Sequence, residues 1–112
     1  MSKMVKCAVD IKNVDRSILD EAIKYLRQYD RAILLQSDQN EILLRFAKYG
    51  MFGDVKIQLS DGQMTIYADE MHMDEIRGLI KQKYLTAYIA RKTKARVKYD
   101  ENTREMLLEV PI

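Results

Sequence analysis

The chain has 112 residues, a formal net charge of +2, and a single cysteine. Its length fits one domain with one core, which leaves about a third of the unfolded surface uncovered. One cysteine excludes an intramolecular disulfide, and no segment reaches the ~20 apolar residues of a membrane span. Lys3, Lys6, Asp10 and Lys12 interrupt any leader-like apolar run, so a reducing, cytoplasmic setting is expected.

Taken in chain order, Met4 to Ile11 alternates apolar and polar residues at the period of a half-buried strand. Cys7 lies in that alternation and reads as a small apolar filler. Asn13 or Asp15 is placed to cap a helix ending near Tyr29. The helix carries Val14, Ile18, Leu19, Ala22, Ile23 and Leu26 on one face and Arg16, Asp20, Lys24 and Arg27 on the other. Ala32 to Leu35 and Ile42 to Ala47 are short apolar runs separated by a polar turn, Ser37 to Asn40. Lys48 to Asp54 reads as a loop containing two glycines.

Two alternating segments follow, Val55 to Ser60 and Met64 to Asp69, joined by Asp61-Gly62, a strong hairpin signal. A second helix is expected from Asp74, as a cap, to about Lys92. Strands near Arg96 to Tyr99 and Met106 to Val110 close the chain around the turn Asp100 to Thr103. The economical packing is one α+β domain over 1–112: a mainly antiparallel sheet with two helices on one face. Its order is strand, helix, two to four strands, helix, two strands, taken as β-α-β-β-β-α-β-β, which makes it a relative of the ferredoxin-like fold.

No catalytic constellation is visible, and no metal or cofactor is expected. The lone His72 has neither a second histidine nor a cysteine in register for a zinc site. Gly50-Met51-Phe52-Gly53 reads as a plain loop rather than a phosphate cradle. Asp69-Glu70 and Asp74-Glu75 suit the positive end of a helix better than a divalent metal. Lys83 falls on the packing face of the second helix and is expected to snorkel, burying its stem. A buried catalytic lysine is the sharper alternative.

The charge pattern is more informative. From Ile76 to Lys98 there are eight basic residues and no acid, leaving eleven basic against seventeen acidic residues elsewhere. Lys81, Arg91, Lys92, Lys94, Arg96 and Lys98 form a candidate binding strip, with Tyr84, Tyr88 and Tyr99 available to stack on bases. A solvated helix face, a protein interface and a nucleic-acid contact all fit this pattern.

The stretch Gln82-Lys83-Tyr84, then Ile89, then Lys92-Thr93-Lys94 resembles the second helix of the hypothetical chloroplast reading frame thirty-five family of cyanobacteria and plastids. Ile11-Lys12-Asn13, Leu19, Leu26 and Tyr67-Ala68-Asp69 fall in the same order as in that family. The chain departs from it at Tyr84-Leu85-Thr86, where the family usually has Tyr-Ala-Tyr. Met71-His72-Met73 stands in place of the family's aromatic cluster. The resemblance implies an intact α+β domain without a cofactor, and it implies no activity. The function expected is a non-enzymatic interaction or assembly module forming a homo-oligomer or meeting a protein partner. Nucleic-acid binding by the basic strip is the alternative.

Overall fold

The computed structural model describes residues 3–111. The elements are β1 (Met4–Ala8), α1 (Arg16–Tyr29), β2 (Ala32–Ser37), β3 (Glu41–Phe46), β4 (Asp54–Ser60), β5 (Gln63–Asp69), α2 (Met73–Thr93), β6 (Arg96–Asp100) and β7 (Glu105–Glu109). A 3-10 segment, Ala47–Phe52, joins β3 to β4.

Five strands form one antiparallel sheet in the order β1-β5-β4-β3-β2. β1 and β2 are its two edges. α1 carries the chain from one edge to the other, and the meander β2 to β5 returns it to lie beside β1. α1 and α2 share one core with a single sheet face: Ile18, Leu19, Ala22, Leu26, Ile76, Ile80 and Tyr84 meet Ile42, Leu44, Phe46, Ile57, Met64 and Ile66. Full burial of each such apolar side chain stabilises the fold by about 1.5–3 kcal/mol. Among the described residues, the opposite sheet face has no helix over it.

Local chemistry explains the element ends. Asp15 is the N-cap of α1, its carboxylate accepting from the N–H groups of Ser17 and Ile18. Asp38 accepts from the N–H groups of Asn40 and Glu41 and closes the β2–β3 turn. At the β4–β5 hairpin Asp61 and Gly62 both have positive φ, 52° and 76°, as a two-residue primed turn requires. The Gly62 carbonyl accepts from Val14 N–H at 2.9 Å, tying this turn to the entry of α1.

Four sequence expectations need correction. β1 stops at Ala8 rather than Ile11. The N-cap of α2 is His72, which makes no side-chain capping bond; Asp74 and Glu75 instead lie in the first turn, where the helix dipole favours them. The β3–β4 connection is largely 3-10 helical, kinked at Gly50 (φ 56°, ψ −129°). Finally, the chain after α2 does not return to the sheet. β6 and β7 pair only with each other among the described residues, so the sheet order is not the ferredoxin-like one.

The molecule is elongated, with extents of 51 × 36 × 22 Å and a radius of gyration of 14.0 Å. A compact chain of this length has a radius near 13 Å by the usual scaling. One contact of the β6–β7 hairpin to the body is the stack of Tyr99 on Tyr29, with ring centroids 4.4 Å apart.

Candidate functional site

α2 presents three different surfaces. Its inner face is buried and includes two residues singled out in the sequence. Tyr84 is 2% exposed, and its hydroxyl accepts from the N–H of Asp15 at 2.9 Å. Its role is to hold the start of α1, and its ring is not available to stack on a base. Tyr84→Phe should therefore cost about 1 kcal/mol in denaturant unfolding, since it strands that N–H. An unchanged midpoint would mean that water replaces the hydroxyl.

Lys83 is also fully inside, 3% exposed, rather than snorkelling to the sheet edge. Its ammonium lies 3.3 Å from Oδ2 of Asp30, the C-cap of α1. That oxygen has no well-aligned hydrogen bond, so charge attraction dominates the contact. The pair ties the inner face of α2 to the end of α1.

The solvent edge of α2 carries the basic strip, and much of it is already engaged. Lys81 pairs with Asp10 at 2.7 Å, and its hydrogen bond holds the Asp10 carboxyl below the usual range. Arg91 donates to Ser17 at the start of α1. Lys98 pairs with Glu109 across the hairpin at 3.0 Å. Lys92 lies over the Tyr88 ring, 5.4 Å from its centroid. Lys94 is the left-handed C-cap of α2. Among the described residues, Arg91, Lys92, Lys94 and Arg96 have no carboxylate partner within 4.0 Å.

The outward face of α2 carries Leu85, Tyr88 and Ile89, each about two-fifths exposed, at i, i+3 and i+4. The hairpin that follows is similarly incomplete. Val97, Tyr99, Met106 and Leu108 lie on one face and are only half-buried, whereas Leu107 on the other face and Val110 beyond it are exposed. Its root carries Arg96 and Lys98 with Glu109. Its far end carries Asp100, Glu101 and Glu105 with Arg104.

At the start of α2, Tyr49 stacks on His72 with centroids 4.3 Å apart, and Lys48 pairs with Glu75. Burial raises the Tyr49 phenol to about 12, with Glu75 adding to the effect. The Lys48 ammonium holds the Glu75 carboxyl below its usual value. These contacts pin the 3-10 segment to α2. The Tyr49 hydroxyl is buried without a well-aligned hydrogen bond, and His72 is engaged by its stack on the Tyr49 ring. Cys7 accepts a weak bond from Arg77 at 3.4 Å against the inner sheet face.

The open sheet face holds a row that strand-by-strand reading does not assemble. Lys6, Tyr67, Lys56 and Leu43 are direct cross-strand neighbours on β1, β5, β4 and β3. Lys56 Nζ sits 4.3 Å from the Tyr67 ring centroid, and the Tyr67 hydroxyl donates to Gln58 at 3.1 Å.

No three acidic, histidine or cysteine side chains cluster as metal ligands, and no helix is long and apolar enough to cross a membrane, among the described residues. Comparison of the chain with protein-family models, with curated proteins and with solved structures finds no match in any of the three.

Proposed function

We propose that the chain is a non-enzymatic assembly module that joins copies of itself through the β6–β7 hairpin and the outward stripe of α2. The observation that carries this reading is the hairpin. It is a two-stranded ribbon outside the main sheet, with its apolar side only half-buried. Such a ribbon is marginal in water and gains stability from packing against further surface. Leu85, Tyr88 and Ile89 offer apolar area beside it.

The charges favour a second copy as the covering partner. Two hairpins packed antiparallel about a two-fold axis set the root of one, where Arg96 and Lys98 outnumber Glu109, against the far end of the other, where Asp100, Glu101 and Glu105 outnumber Arg104. Light scattering over a rising concentration series tests the idea. The parent chain should exceed its 13.2 kDa monomer mass, and Tyr88→Asp with Leu108→Asp, the latter on the half-buried side of the hairpin, should return it to the monomer while the main thermal transition persists. A parent that stays monomeric at high concentration overturns the reading.

Nucleic-acid contact by Lys92, Lys94 and Arg96 is the weaker second reading, because their neighbours in the strip already have partners. Kinship with the chloroplast reading-frame family and a cytoplasmic setting are part of the same proposal and assign no activity.

A further inference from the structure

We infer that the open sheet face binds single-stranded nucleic acid, with Tyr67 stacking on one unpaired base and Lys6 and Lys56 holding the flanking phosphates. This is independent of self-association, which uses the hairpin and α2. The row is set by strand register: Lys6 and Lys56 stand directly on either side of Tyr67. Neighbouring strands lie about 4.8 Å apart, so the two ammonium groups flank the ring within reach of successive phosphates.

Among the described residues neither lysine has a carboxylate within 4.0 Å. The cation resting on the Tyr67 ring is held only by its π-face, which a base can take over. Thr65 and Gln58, paired on the same face, add polar groups for base edges.

The carboxylates on this face do not cancel the charge. Asp54 is held by Arg45 at 2.7 Å. Asp69 is buried, with one oxygen accepting from Met71 N–H. Glu41 lies across Gln58 on β3, two strands from Tyr67. A polynucleotide suits two cations without a carboxylate partner beside an aromatic ring, and an acidic protein would make no use of the ring. A duplex is disfavoured because its bases offer no free face to a side chain standing on a flat sheet.

The test is fluorescence anisotropy of the full chain with labelled twelve-residue oligo(dT) and oligo(rU), over a series of salt concentrations. Two phosphate contacts predict a slope of log affinity against log salt of about −1.4. Tyr67→Ala should weaken binding about 5- to 150-fold, and Tyr67→Phe should retain it. Lys6→Gln with Lys56→Gln should flatten the salt slope toward zero; because these side chains lie on the outer face, this variant decides the matter even if Tyr67→Ala fails to fold. Unlabelled duplex should compete poorly. Three outcomes overturn the inference: no binding at low salt, equal competition by duplex, or binding abolished by Lys92→Gln, Lys94→Gln and Arg96→Gln but untouched by the sheet variants.

Discussion

Asp30→Ala should destabilise the protein by about 3 kcal/mol or more in urea unfolding, a large share of the 5–15 kcal/mol that holds a typical domain folded. The reason is the partner it leaves behind. Lys83 is 3% exposed, on the face of α2 that packs against α1, and Asp30 carries the one carboxylate within 4.0 Å of its ammonium among the described residues. Gln82 Oε1, 3.4 Å away, is a weak substitute. Without the carboxylate, an unpaired ammonium is left inside the protein, and the desolvation it suffers is no longer offset. The companion experiment is the double variant Asp30→Ala with Lys83→Met, which removes both charges and keeps an unbranched apolar chain in the same space. It should recover most of the loss, because replacing a whole buried pair by apolar groups is commonly neutral or better. A loss below about 1 kcal/mol in the single variant would mean that the ammonium reaches water, returning Lys83 to the snorkelling role its helix position first suggests.

Lys83 also illustrates what a sequence can and cannot disclose. Its place on the inward face of α2 is readable from its spacing to Ile76, Ile80 and Ala87, because helical periodicity is local. Its partner is not readable, since Asp30 lies at the end of the other helix and the pair is created by α1–α2 packing. The same division runs through the chain. The Asp61-Gly62 turn, the Asp15 cap and the buried stripe of α1 follow from interactions a few residues long, and the structure contains all three. Tyr84 has an aromatic ring that suits stacking, yet its hydroxyl is used at Asp15, across the helix pair. The destination of β6 and β7 has no local signature: an alternating strand looks alike whether it joins the main sheet or stands apart. The Lys6–Tyr67–Lys56 row is hidden for a related reason. Each member reads as an ordinary outward residue of its own strand, and only the register of three strands brings them together.

Gly53→Ala should lower the melting temperature by roughly 10–20 °C, corresponding to about 3 kcal/mol for a domain of this size. The backbone of Gly53 is ordinary, with φ −91° and ψ 0°, so no conformational penalty attaches to alanine itself. The obstacle is space. A Cβ there would overlap the carbonyl oxygen of Phe46, which is backbone and cannot swing aside. That approach is fixed by the bond from Phe46 N–H to Gly53 O at 2.8 Å, by Gly53 N–H to Gly50 O at 3.1 Å, and by the complete burial of the Phe46 ring. The other side of the loop is anchored through Tyr49 on His72 and Lys48 with Glu75, so the segment has little room to relax outward. Gly50→Ala separates the two mechanisms. Gly50 has open space around it but a φ of 56° with ψ −129°, where a side chain is strained, and its cost should be near 1–2 kcal/mol. Steric exclusion thus predicts the larger loss at Gly53, and backbone strain alone predicts the larger loss at Gly50. If Gly53→Ala melts within about 3 °C of the parent, the β3–β4 connection yields easily and does not act as the rigid clamp on the first turn of α2 that its contacts describe.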